Sequence, residues 1–104
     1  MTDTPRTVPQ LIEALNDENW RARRSAAKAL GKMGSEAKQA IAHLIEALKD
    51  EQTSVRWAAA KALETMGPGA KEAVPALQVL LGDALSKQAA TDALKKIAPE
   101  EFGD

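Results

Sequence analysis

The chain has 104 residues, which is enough for one domain with a modest hydrophobic core. Its 14 basic and 15 acidic residues leave a formal net charge of −1, so no global field attracts nucleic acid or a membrane surface. The absence of cysteine excludes disulfides, a thiolate nucleophile and a cysteine-ligated metal. Neither an apolar leader nor a stretch of about 20 apolar residues is found, so we expect a cytoplasmic protein.

The sequence repeats itself. Leu-Ile-Glu-Ala-Leu at residues 11–15 returns 33 positions later, and Ala-Ala-Lys-Ala-Leu at residues 26–30 returns at the same interval. A period of this length is the signature of stacked repeat architectures. After Asp83 the offset falls to 31, which predicts that two residues are missing from the turn between the helices of the third copy. We expect a single domain over residues 1–104, with repeats at about 7–40, 41–73 and 74–99 and tails at 1–6 and 100–104.

Each repeat has the pattern of two helices. Thr7 and Gln10 have the spacing of a capping box at the start of the first helix. The second helix is predicted from about residue 19 to 33, and Gly34 stands where a helix stop belongs. Residues 35–40 are expected to add a helical turn before the next unit. The sequence therefore predicts an all-α fold, an α-solenoid of three antiparallel helix pairs with no strand.

A helical wheel separates a buried face of the second helices from a solvent-facing one. In repeat one the predicted buried face is Ala22, Ala26, Ala29, Leu30 and Met33, and in repeat two it is Val55, Ala59, Ala62, Leu63 and Met66. The predicted solvent-facing residues are Trp20, Arg24, Lys28 and Gly31 in repeat one, Thr53, Trp57, Lys61 and Glu64 in repeat two, and Gln88, Asp92 and Lys95 in repeat three. The two flanks are expected to meet neighbouring repeats.

Polar substitutions mark the two ends of the predicted array. The position of Ser25 is polar only in the first copy, whereas the position of Ala27 becomes polar only in the last copy, at Thr91. Gln78 replaces an isoleucine of the first two copies in the same way. Polar residues at these places indicate capping repeats, whose outer faces meet water.

The pattern Asp-x5-Arg-x2-Ala-Ala-x-Ala-Leu-x2-Met-Gly, with its Leu-Ile-Glu-Ala-Leu helix, resembles the HEAT-like repeat of the phycobilisome-lyase type over about residues 7–99. The resemblance implies second helices on a concave face, first helices on a convex face, and a ladder of aspartate and arginine hydrogen bonds between units. The aspartate and arginine positions of the motif hold Asp17 and Arg23, Asp50 and Arg56, and Asp83 and Lys87. Because Lys87 stands at the arginine position of the third copy, the sequence does not decide whether the Asp–Arg ladder has a last rung there.

Trp57 is the most informative candidate for function, because a tryptophan facing water is costly unless something covers it and tryptophan is enriched in binding hot spots. The alternative is that its ring lies flat over the stems of Lys61 and Arg24 and seals adjacent repeats. For Trp20 we favour a structural role at the helix start, with a cation–π contact to Arg24. The second helix of repeat one also carries a basic patch, which is either an anion site or a solvated surface: Arg21, Arg24, Lys28 and Lys32.

We expect a non-catalytic protein-interaction module whose second-helix face binds an acidic or amphipathic segment, with Trp57 as the anchor. The candidate partner-binding residues are Trp20, Arg21, Arg24, Lys28, Trp57, Lys61, Glu64, Gln88 and Asp92. The competing hypotheses are binding of nucleic acid or another polyanion through the basic helix, an accessory role in a chromophore-lyase-like complex, and an engineered repeat scaffold. His43 is the sole histidine and no phosphate-binding loop is found, so no enzyme activity, metal or cofactor is expected. A protein partner and a monomeric chain are favoured over nucleic acid or a membrane.

Overall fold

The computed structural model describes residues 6–103, so the predicted tail at residues 1–6 lies outside that range except for Arg6. The described residues form helices and contain no strand, which confirms the predicted all-α class. The α-helices are α1 Val8–Ala14, α2 Trp20–Met33, α3 Ile41–Ala47, α4 Thr53–Met66, α5 Val74–Leu80, α6 Lys87–Ile97 and α7 Pro99–Phe102. Two 3-10 segments, Gly34–Ala40 and Gly67–Ala73, join the successive pairs α1/α2, α3/α4 and α5/α6.

The helix ends follow local sequence chemistry. The Thr7 backbone N–H donates to Gln10 Oε1 at 2.9 Å and the Gln10 backbone N–H donates to Thr7 Oγ1 at 3.3 Å, which confirms the predicted capping box. Gly34 and Gly67 end α2 and α4 with φ of 56° and 63°, a backbone conformation that favours glycine. These ends turn the chain into the 3-10 segments, so both predicted stops are confirmed.

Helix α4 packs directly against α2 on one side and against α6 on the other, and the α2–α4 contact is made through small residues. Ala27 and Gly31 of α2 are buried, as are Ala58 and Ala62 of α4. A Cβ atom added to Gly31 would lie 3.0 Å from the Cα atom of Ala62. The prediction that Gly31 faces solvent was wrong, because α4 covers this flank of α2 instead of leaving it to water.

The buried face differs between the first two repeats. All five residues predicted in repeat two are buried, which confirms the wheel there. In repeat one Ala26 and Leu30 are buried, but Ala22, Ala29 and Met33 remain partly exposed. The difference arises because repeat one has neighbours on one side only within the described part of the chain.

The third repeat is shortened in its second helix. Helix α6 has 11 residues, whereas α2 and α4 each have 14. The turn before α6 spans residues 81–86 and is not shorter than the corresponding turn at residues 48–52. The prediction that the turn had lost two residues was therefore wrong, because the first turn of the helix is what is missing.

Helical structure extends into the predicted C-terminal tail. Pro99–Phe102 forms the short helix α7, and Phe102 packs against the core. Lys71 Nζ lies 3.3 Å from Glu100 Oε2, which ties α7 to the second 3-10 segment. The sequence-based tail at residues 100–104 thus starts with ordered helical structure. No helix between residues 6 and 103 is long and apolar enough to cross a membrane.

Candidate partner-binding face

The Asp–Arg ladder forms one edge of the junction between the first two repeats. Arg23 donates from Nε to Asp50 Oδ2 at 2.7 Å and from Nη2 to Asp50 Oδ1 at 3.1 Å. Its Nη1 also donates to the backbone carbonyl of Asp17 at 2.7 Å. The ladder implied by the resemblance is present, and each arginine joins the carbonyl of its own repeat to the carboxylate of the next.

The second rung is built differently. Arg56 Nη2 lies 3.0 Å from Asp83 Oδ2, and Nε donates to Ser86 Oγ at 3.1 Å. The Ser86 side chain is fully buried, although it is polar. Sequence reasoning missed Ser86, yet a signal existed because this serine aligns with Val55 on the buried face when the 31-residue offset is used.

Hydrogen bonds lower the pKa of both ladder carboxylates, Asp50 and Asp83. Burial raises the pKa of Asp50, but hydrogen bonds from Arg23 and the Gln52 backbone N–H outweigh it and hold the pKa below the ordinary value of 3.8. For Asp83, the Ser86 hydroxyl and the Leu85 backbone N–H lower the pKa, with Arg56 adding to the effect. Both carboxylates are therefore stabilised in the charged form that contacts the arginines.

The predicted solvent-facing residues other than Gly31 define what we call the second-helix face, and one of them, Thr53, also accepts a hydrogen bond from Arg56 Nη2 at 3.0 Å. The face comprises Trp20, Arg24, Lys28, Thr53, Trp57, Lys61, Glu64, Gln88, Asp92 and Lys95. Trp57 stands out on it, because its side chain remains 48% exposed. A depression of about 310 Å³ on one side of the ring is lined by Arg24, Lys28, Thr53 and Ser54. A second depression, of about 350 Å³, also borders Trp57 and shares Lys28 with the first. Its other lining residues are Gly31, Lys32, Ala58, Lys61, Ala62 and Thr65.

In the α4–α6 half of this face, charged side chains of the chain itself pair with one another. Lys61 Nζ lies 3.1 Å from Glu64 Oε1 and 3.7 Å from Asp92 Oδ2. Gln88 Nε2 donates to Asp92 Oδ1 at 2.9 Å. The same Lys61 ammonium stands 5.7 Å from the centroid of the Trp57 ring. Lys61 was predicted as a charge partner for a ligand, but acidic side chains of the chain itself already compensate its charge.

The α2 half of the face carries basic side chains around Trp20. The Arg21 guanidinium stands 4.6 Å from the Trp20 ring centroid and that of Arg24 stands 5.7 Å away, so the predicted Trp20–Arg24 contact is confirmed and Arg21 is closer still. Arg21, Arg24, Lys28 and Lys32 are exposed, and within residues 6–103 they make no ion pair. The structure thus brings Arg24 and Lys28 beside Trp57, whereas Gln88 and Asp92 lie across α4 from them.

The remaining candidates for chemistry are dispersed. His43 is exposed on α3, as predicted for a surface residue. Across residues 6–103 no three histidine or acidic side chains are grouped so that they could hold a metal ion. The described side chains therefore provide a surface with an exposed tryptophan, Trp57, and local charge, which suits recognition of another molecule.

Stacked antiparallel helix pairs joined by an inter-repeat ladder define this chain as a helical repeat protein of the α-solenoid class. Family models of HEAT repeats match residues 1–46 and residues 40–70, so HEAT repeats are present in the chain. No curated protein sequence matches it. HEAT repeats generally mediate protein–protein interaction, and proteins built from them are typically non-catalytic scaffolds.

Proposed function

We propose that this chain is a non-catalytic interaction module that holds an acidic or amphipathic protein segment on its second-helix face, with Trp57 as the anchor. The observation that carries the proposal is the half-exposed Trp57 ring, which stands between two depressions at the junction of α2 and α4. A partner that covers this ring removes apolar surface from water, and a central aromatic anchor is typical of binding hot spots.

The charge beside Trp57 supports an acidic element in the partner. Arg24 and Lys28 line the depression next to the ring and are exposed. An acidic side chain placed there meets two cations at short range, which favours encounter and orientation. The close packing of α2, α4 and α6 through alanine and glycine also supports the expectation that these helices line the inner, concave side of the array.

Affinity capture from an extract of the native cell tests this function. The purified chain, Trp57→Ala and the control Lys49→Glu serve as baits. Lys49 is exposed, and its one ion pair within residues 6–103 is with exposed Glu46 at 3.7 Å. A partner is expected on the unmodified chain and on the control, and to be lost from Trp57→Ala. Because half of the Trp57 surface is covered, circular dichroism must first show that Trp57→Ala is folded. Equal capture by all three baits would contradict the proposal.

Polyanion binding is the second candidate function, because α2 presents four exposed cations on one helix: Arg21, Arg24, Lys28 and Lys32. A duplex needs a long basic track for its phosphates, whereas Glu64 and Asp92 make the far part of the face mixed in charge. A gel shift measured against salt concentration checks this candidate. Affinity that does not fall as salt rises would remove it.

A chromophore-lyase accessory role and an engineered origin have weaker support. The matched models describe HEAT repeats in general, so the phycobilisome-lyase type and the accessory role rest on the sequence resemblance alone. An engineered origin rests on the close agreement of repeats one and two. We retain a single domain over residues 1–104, a monomeric chain and a cytoplasmic location as parts of the proposal.

A further inference from the structure

Trp57 divides the groove between α2 and α4 into two compartments of different chemistry. The compartment toward the start of α4, here called the basic compartment, is lined by Arg24, Lys28 and the hydroxyl-bearing Thr53 and Ser54. The compartment toward the end of α4, here called the apolar compartment, exposes mostly apolar surface. Its lining residues, besides Trp57, are Lys28, Gly31, Lys32, Ala58, Lys61, Ala62 and Thr65. The groove therefore has a direction along α4.

The distribution of charge distinguishes the α2–α4 junction from the α4–α6 junction. The repeat places Lys28, Lys61 and Asp92 at equivalent positions of the three second helices. Between α4 and α6 the position pairs opposite charges, since Lys61 Nζ lies 3.7 Å from Asp92 Oδ2, but between α2 and α4 it holds two lysines. The charge of Lys61 is also offset by Glu64 at 3.1 Å. Among the described residues Arg24, Lys28 and Lys32 make no ion pair, so unpaired positive charge lies along α2. Arg24 lines the basic compartment alone, whereas Lys28 lines both compartments and Lys32 lines the apolar one.

We infer that the second-helix face recognises its partner segment in one orientation, with a carboxylate in the basic compartment and a bulky apolar side chain in the apolar compartment. This inference rests on the proposed function and specifies the chemistry of the partner. The apolar side chain would cover Ala58 and Ala62 and pack against one side of the Trp57 ring, while the carboxylate meets Arg24 and Lys28 on the other. Arg24 and the hydroxyl groups of Thr53 and Ser54 line the basic compartment and not the apolar one, which favours this orientation over the reversed one.

The geometry also limits the spacing of the two side chains in the partner. Ser54 and Ala62 mark the two compartments and are separated by about 12 Å along α4, at 1.5 Å per residue. The same length corresponds to about seven or eight residues of a helical partner, or about four residues of an extended one. Short peptides are therefore long enough to occupy both compartments.

Peptide selection tests the inference. A random library of 12-residue peptides displayed on phage is selected on the unmodified chain and counter-selected on Trp57→Ala. Selected peptides are then synthesised, and their affinities are measured by fluorescence anisotropy. We expect them to share one acidic and one bulky apolar residue at a fixed spacing and order. Replacing the acid by its amide should weaken binding by about tenfold, a typical effect of removing one member of a close charge pair.

Variants of the chain complete the experiment. Lys28→Glu and Arg24→Glu lie at exposed positions and should each weaken binding by about tenfold, whereas the control Lys49→Glu should leave it unchanged. A peptide with lysine in place of its acid should bind Lys28→Glu more tightly than it binds the unmodified chain. This rescue would not arise if the change at Lys28 affected only folding.

Three outcomes would overturn the inference and separate it from the proposed function. If no peptide distinguishes the unmodified chain from Trp57→Ala, the proposed docking face itself fails. If peptides require Trp57 but lack an acid or ignore the Lys28 and Arg24 changes, the face stands and the polarity is wrong. If a single-stranded oligonucleotide of 12 nucleotides displaces them with equal affinity and a steep salt dependence, the basic compartment binds polyanions instead.

Discussion

The two junctions between repeats are built from the same 33-residue unit, yet they differ at both edges. At the α2–α4 junction the ladder is a two-point contact from Arg23 to Asp50, and the second-helix face is open and basic. At the α4–α6 junction Arg56 divides its contacts between Asp83 and Ser86, while Lys61 and Asp92 close the face. The repeated residues form the core, and a few unrepeated ones make the two junctions different.

The largest expected effect comes from forcing the first junction apart. Gly31→Leu should lower the free energy of unfolding by about 1–3 kcal/mol, because even its Cβ would lie 3.0 Å from the backbone of Ala62. The helix propensity that leucine adds offsets this cost by less than about 1 kcal/mol. Urea unfolding followed by circular dichroism measures the difference.

Glu64→Leu is the matched control, since Glu64 occupies the equivalent position in the second junction and is partly exposed. It should change stability much less than Gly31→Leu. Equal losses for the two substitutions would show that the close approach of α2 and α4 is not what requires glycine at position 31.

A smaller effect should separate the two rungs of the ladder. Asp50→Asn should cost about 1–2 kcal/mol of unfolding free energy, because it weakens a charge-assisted two-point contact to Arg23 whose carboxylate is only 11% exposed. Asp83→Asn should cost less, since the Asp83 carboxylate is 35% exposed and Ser86 continues to hold Arg56. Paired urea melts at neutral pH compare the variants. A larger loss for Asp83→Asn would reverse the proposed ranking of the rungs.

The same carboxylate predicts a pH dependence with a definite sign. Hydrogen bonds hold the pKa of folded Asp50 below its ordinary value, so the unfolded chain binds this proton more tightly than the folded chain does. Its stabilising contribution is complete above about pH 5 and is lost as the pH falls through the unfolded and then the folded pKa. The stability gap between the unmodified chain and Asp50→Asn should therefore narrow between about pH 5 and about pH 2. A gap that stays constant over this range would contradict the role assigned to the Arg23–Asp50 contact.

Sequence periodicity predicted the helix pairs and the ends of α2 and α4 because these depend on local chemistry that is repeated in every copy. It placed Gly31 on the wrong face because a wheel describes one helix and contains no information on which flank a neighbouring helix covers. The burial of Ser86 escaped prediction for a related reason, since its partner Arg56 lies 30 residues away. Trp57 was correctly expected at the surface, but the pairing of Lys61 depends on Asp92 in the next repeat.

The smallest expected effect comes from removing the ionic contacts of Lys61 in the α4–α6 half of the second-helix face. Lys61→Ala should change the free energy of unfolding by less than about 1 kcal/mol, because its contacts to Glu64 and Asp92 involve partly exposed groups. Affinity for the selected acidic peptides should fall by less than about threefold, well below the roughly tenfold loss expected for Lys28→Glu. Lys28→Ala provides the comparison without charge reversal, and anisotropy titrations measure both variants. If Lys61→Ala weakened binding as much as Lys28→Ala, the two junctions would contribute equally to recognition, and the ionic contacts across α4 and α6 would not have removed Lys61 from the binding surface.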